Sequence, residues 1–153
     1  MLPGDKGDMT VAVGVSLRRS RWSRIGFGYL AASALVPGVW GLVDPSGWFD
    51  HFPGVGGAAW IAAEPPFNRH LTIDSAAGLF AAGILALVAC LWNDRSVRMV
   101  AAIGVLASTL PHVAYHLFHP SHALSAAQQL ASTGGLAAEV AIAAMLLVAN
   151  RRA

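Results

Sequence analysis

The residues able to do chemistry in this sequence fall into two helical spacings. His70 and Asp74 stand four apart, and His112, His116 and His119 stand four and three apart. At 100° per residue, the second set lies within about 60° on one helix face, bordered by Tyr115 and Ser108. Together His70, Asp74, His112 and His116 offer four nitrogen and oxygen donors, the number and type that zinc takes and that iron or copper also accept. Metal coordination is the first chemistry they allow. A metal-bound water or a histidine base would be the agent of any catalysis, although no substrate is marked. Asn68, Tyr115, His119 and Gln128 are placed to orient such ligands by hydrogen bonding. A spacing of four is also what any two residues facing one helix interior must have, and no full metalloprotease or EF-hand signature accompanies it. Two other readings stand beside the metal. One is a haem or quinone site using one or two of the histidines. The other is a structural network, with Asn68 capping a helix and Asp74 paired to a histidine or to Arg69.

The elements that must carry these residues are membrane spans. The chain has 153 residues, 56% of them hydrophobic and only 12% charged, and its apolar residues come in long unbroken blocks. A hydrocarbon core about 30 Å thick takes roughly 20 helical residues to cross. Four segments meet that length, at about 25–43, 71–92, 99–118 and 123–148. The expected fold is all-α, a four-helix transmembrane bundle formed by residues 21–153. Residues 1–20 read as a disordered tail, because Gly4, Asp5, Gly7 and Asp8 give it little to bury.

Charge orients the bundle. Arg18, Arg19, Arg21 and Arg24 precede the first span, Arg95 and Arg98 lie between the second and third, and Arg151 and Arg152 follow the fourth. The positive-inside rule puts these places, and both termini, in the cytoplasm. With Lys6, nine of the ten basic residues are then inside and only Arg69 is outside. A cleaved signal peptide at the first block is the weaker reading, since hydrophobicity runs on through Val36, Val39, Trp40, Leu42 and Val43. The basic residues flank spans instead of forming a soluble patch, which argues against nucleic acid. The single cysteine, Cys90, removes disulfide and cysteine-pair redox chemistry.

With that topology, all six histidines, His51, His70, His112, His116, His119 and His122, fall on the outer side or in the outer third of a span. At 1.5 Å per residue, Asp74 lies about 5 Å below the outer surface and His112 about 9 Å below it, so the depths overlap. Gln128, Ser132, Gly135 and Glu139 share one face of the fourth span. Ionisable groups at such depths belong in the bundle interior, and Glu139 reads as a hydrogen-bonded acid. The long outer loop, 44–69, holds Pro45, Pro53, Pro65 and Pro66 with Trp48, Phe49, Phe52 and Trp60. Proline excludes a regular helix over much of it, and the aromatics favour a cap at the headgroup level. Ala77, Gly78, Ala81, Gly134 and Gly135 are expected to let helices approach closely. Pro37 and Pro111 are expected to kink spans one and three.

The run Pro66-Phe67-Asn68-Arg69-His70-Leu71-Thr72-Ile73-Asp74 and the later Pro111-His112-Val113-Ala114-Tyr115-His116 resemble small four-span bacterial membrane proteins of the DoxX-like kind, in an uncharacterised actinobacterial branch. Trp48-Phe49-Asp50-His51-Phe52-Pro53-Gly54 resembles that branch's outer loop. The resemblance covers about residues 24–150 and implies the four-helix membrane fold, with Asn68, His70, Asp74, His112 and His116 in one site. It implies no activity.

The expected protein is thus a multi-pass protein of the cell membrane with an outer His/Asp site for a metal (Zn, Cu or Fe) or a redox cofactor. Its partners are the lipid bilayer and a second copy or a membrane-complex subunit. The alternative is a non-catalytic subunit or scaffold of a membrane complex whose His/Asp network is structural. A channel or carrier with Glu139 on the path is a weaker third, since four spans enclose little space.

Overall fold

Apolar runs of 23 to 26 residues with few breakers have one stable form in lipid, the α-helix, because it satisfies its own backbone donors and acceptors. The computed structural model describes residues 6–55 and 59–151, the side chains of residues 6–20 excepted. It contains five helices, α1 (Lys6–Val43), α2 (Pro45–His51), α3 (Arg69–Leu91), α4 (Arg95–Phe118) and α5 (Ala126–Arg151), with no strand among the described residues. Four stretches, Arg21–Val43, Arg69–Leu91, Arg95–Phe118 and Ala126–Arg151, are long and apolar enough to cross a membrane. The chain is a multi-pass membrane protein folded as a helical bundle.

Helix ends follow local chemistry. Asn68 caps α3 by accepting from the Leu71 N–H at 3.0 Å, and Asp94 caps α4 by accepting from the Val97 N–H at 2.9 Å. Ser125 and Gln128 form a reciprocal capping box at the start of α5, at 2.8 and 3.3 Å. An N-cap carboxylate satisfies an amide that the helix cannot, so Asp94→Ala should cost about 1 kcal/mol in thermal unfolding of the detergent-solubilised protein. An unchanged midpoint would show that the α3–α4 turn does not depend on this cap.

Two boundaries depart from the sequence reading. The first helix begins at Lys6, so residues 6–20 extend the helix of the first span, as propagation from an existing helix is far easier than nucleation. Residues 1–5 of the expected tail, and Arg152, lie outside the described residues. Within the loop, residues 45–51 form α2, because Pro45 occupies its first turn and Asp44 accepts from the Gly47 N–H at 3.0 Å. Proline is at home at that position and breaks helices only further in. Both α1 and α4 run on through Pro37 and Pro111, which removes the amide partners of the Ser33 and Ala107 carbonyls.

The bundle is built from two helix pairs. The α1 helix packs most extensively on α3, and α4 on α5; α3 joins the pairs through the short turn to α4, and α1 meets α5 more lightly. Close packing of α1 on α3 comes from Gly38, Gly41 and Gly83. A Cβ at Gly38 would lie 2.7 Å from the Phe80 backbone nitrogen, one at Gly41 2.7 Å from the Ala76 Cβ, and one at Gly83 2.7 Å from the Leu35 Cγ. Without a hydrophobic drive between helices in lipid, such approach is what holds a pair together. The small residues expected to do this do not: Gly78, Gly134 and Gly135 have nothing within 4 Å of an added Cβ, and Ala77 and Ala81 are exposed. The buried core gathers Phe27, Leu30 and Ala31 with Ala86, Ala89, Ala101, Ala102, Val105, Ala143 and Leu146.

Even-numbered spanning brings the start of the first span and the end of α5 to one end of the bundle. The Cys90 thiol donates to the Arg24 carbonyl at 3.4 Å, and Arg95 donates to the carbonyls of Asn150 and Arg151 at 3.0 and 2.8 Å. This is the arginine end. At the opposite end the loop folds into the aromatic cap expected of it: Phe52 packs on Trp40, Trp48 and Trp60 with ring centroids 6.5, 5.9 and 5.9 Å away. Phe49 meets Phe67 edge-on at 5.2 Å. Trp48 is buried between α1 and α3, over Gly41.

Candidate functional site

The last two turns of α4 carry an imidazole ladder. His112 and His116, one turn apart, bring their Nε2 atoms to 3.1 Å, with ring centroids 4.9 Å apart. A neutral pair at that distance shares one proton, one ring donating and the other accepting. Tyr115 stacks on His119 at 4.5 Å and 15° and meets His116 edge-on at 5.9 Å. The His119 Nδ1 lies 3.1 Å from the Tyr115 carbonyl. A carbonyl only accepts, so the Nδ1–H of His119 is the donor in this contact.

On α3, His70 Nε2 and Asp74 Oδ2 are 3.3 Å apart, with the two side chains 90% and 59% exposed. The four donors expected to form one site thus stand as two pairs on two helices. Among the described residues no three histidine, cysteine or carboxylate side chains group so as to hold a metal ion. The reason lies in how α3 and α4 meet. Leu85 of α3 packs against Gly104 of α4, 3.0 Å from where a Cβ would stand. The residues one, two and three turns nearer the histidine end on that face of α3, Ala81, Gly78 and Asp74, are exposed. Leu85 and Gly104 thus touch toward the arginine end, while this face of α3 is exposed from Ala81 to Asp74.

The remaining expected partners have local roles. Asn68 caps α3 and the Gln128 carboxamide accepts from the Ser125 N–H; the neighbouring Gln129, which the sequence did not single out, donates to the Ser121 carbonyl. His51 and His122 are exposed. Deeper in the bundle, the half-buried Glu139 carboxyl group lies near the Ser33 side chain of α1, so the fourth span's acid faces a polar group across the helix interface. Ser33 donates to the Leu30 carbonyl at 3.2 Å.

Two residues gain a meaning that composition did not give them. Ser33 reads in the sequence only as a small residue, and its role depends on which face of α1 meets α5. Arg98 reads as one more basic residue of an inner turn, but it lies inside α4 and is 4% exposed. Its signal was available, since Ala101, Ala102 and Val105 follow at three, four and seven residues and mark one buried face. No family model matches the chain, no curated protein matches it, and no solved structure matches it.

Proposed function

We propose that this chain is a protein of the cell membrane, with both termini in the cytoplasm, whose His112–His116 pair binds one transition-metal ion at the outer end of α4. The observation that carries the reading is the 3.1 Å between the two Nε2 atoms. With metal–nitrogen bonds of about 2.0–2.1 Å, that separation subtends roughly 98° at a shared metal, between the angles of square-planar and tetrahedral coordination. Zinc, copper and iron all accept such a chelate. Two protein donors leave the other positions to water or to a second molecule. In this reading His70 and Asp74 form a separate His–carboxylate pair, and Tyr115 steadies the ladder by stacking on His119. The resemblance to DoxX-like proteins belongs to the same proposal. It is supported by the four-span helical architecture and by its two motifs lying at the start of α3 and the end of α4, on one side of the bundle.

A second reading rests on the same distance, which is also that of a hydrogen bond. In it the protein is a non-catalytic subunit or scaffold, and the histidines satisfy one another. Metal content separates the two. Detergent-purified protein loaded with zinc or copper and desalted should retain about one equivalent. His112→Ala and His116→Ala should each weaken retention by at least the roughly tenfold that follows from disturbing even an outlying partner of a ligand, whereas His70→Ala should not. Retention that is nil, or equal in all four proteins, would sink the metal reading and leave the scaffold.

A further inference from the structure

A guanidinium stays protonated under all conditions a protein meets, so a buried arginine must find partners for its charge and its five donors. Arg98 does not find them within the described residues. It is 4% exposed, its Nε donates to the Ala89 carbonyl at 3.3 Å, and its Nη2 is buried with no hydrogen-bond partner. The one ion pair among the described residues is His70–Asp74, at the other end of the bundle. Asp94, a turn before Arg98, uses its Oδ1 to cap α4. The nearby charge that acts on Arg98 is a like one, the Arg24 guanidinium of α1, which opposes its own.

Topology does not account for this arrangement. The positive-inside bias explains arginines that stand in solvent or among headgroups, as Arg21, Arg24, Arg95 and Arg151 do by their exposure. It gives no reason to bury one. Arg95 shows what a settled arginine looks like here, with two of its nitrogens on the carbonyls that end α5. Arg98 instead lies beside the seam where the Arg24 carbonyl of α1 meets Cys90 of α3, next to the Ala89 carbonyl that its own Nε binds. An anion in that seam would satisfy Nη2 and turn a repulsion into two attractions.

We infer that Arg98 and Arg24 form a binding site for a phosphate-bearing anion at the arginine end of the bundle. The guanidinium fork matches phosphate oxygens in pairs, and two such forks, neither ion-paired to a carboxylate among the described residues, suit a tetrahedral oxyanion. Arginines at span ends stand at the depth of lipid phosphates, and the same chemistry is offered by free inorganic phosphate. The site lies at the opposite end from the histidine ladder and does not depend on the metal reading.

The test uses the full chain in detergent, with phosphatidylglycerol, phosphatidylcholine and inorganic phosphate as probes at matched ionic strength. Bound lipid is read by native mass spectrometry and affinity by titration. The wild-type protein should retain phosphatidylglycerol in preference to phosphatidylcholine, and Arg98→Gln and Arg24→Gln should each weaken that binding about tenfold, the scale of one charge-assisted bond. Arg151→Gln, which changes an exposed arginine at the same end, should leave it unchanged. Phosphatidylglycerol binding that inorganic phosphate does not displace identifies a lipid headgroup as the ligand; tight binding of phosphate alone identifies the free ion. Because Arg24 is exposed, Arg24→Gln decides the matter even if Arg98→Gln does not fold. Binding of both phosphate probes by Arg24→Gln at wild-type strength would overturn the inference, and so would an equal loss in Arg151→Gln, which would reduce the effect to diffuse charge.

Discussion

Gly38→Ala is expected to loosen the pairing of α1 with α3, costing about 1–3 kcal/mol or more, because the added Cβ would stand 2.7 Å from a backbone nitrogen of Phe80. A flexible side chain could move aside from such a contact, but backbone cannot, so the helices themselves must separate. Separation forfeits the van der Waals contacts that take the place of the hydrophobic effect between helices in lipid. The paired control is Gly134→Ala, where nothing lies within 4 Å and the change should stay within about 0.5 kcal/mol. Thermal or SDS-induced unfolding in detergent measures both. Equal midpoints for the two variants would mean that α1 and α3 are not held by close approach at Gly38.

The second large effect is expected at the aromatic cap. Trp48 is 6% exposed, packs on Phe52 and lies against Gly41 of α1. Trp48→Ala removes that mass from a closed environment and should cost about 3–5 kcal/mol. Trp48→Phe is the informative companion. The indole Nε1 of Trp48 is buried without a hydrogen-bond partner, and removing an unsatisfied donor carries little loss. The phenylalanine variant should therefore keep most of the stability that the alanine variant loses. If both fall equally, the indole N–H contributes a bond that packing alone does not explain.

Much of this fold was legible in the sequence, and the parts that were not share one cause. Span number and position follow from length and hydropathy, so the four blocks coincide with α1, α3, α4 and α5 to within a few residues at most of their ends. The caps at Asn68 and Asp94 are short-range chemistry and are visible in the residue types. The start of α2 was visible too, in Asp44-Pro45, had proline been weighed by its place in the first turn. What spacing along one helix does not determine is the rotation of that helix against its neighbours. Gly78, Gly134 and Gly135 look as suited to close packing as Gly38, Gly41 and Gly83, yet the first three stand bare. The same limit governs the candidate site. Each pair, His70 with Asp74 and His112 with His116, is set by a spacing of four and is formed. Whether the pairs join depends on how α3 and α4 are set against each other beyond Leu85 and Gly104. Arg98 shows the converse, a residue whose importance comes entirely from the face of α4 on which it falls.

The pairing of helices also bears on how the protein enters the membrane. The most extensive helix contact, α1 on α3, joins the first two spans in chain order, and the next, α4 on α5, joins the last two. Synthesis runs from the amino terminus at about 5–20 residues per second, so the first hairpin is whole and able to close while the second is still being made. Each hairpin inserts with its long-range partner already present, and no span has to wait exposed for a mate from the other half of the chain. Assembly of the bundle then reduces to docking two finished hairpins, with the Arg95 bonds to the end of α5 forming as the last residues emerge.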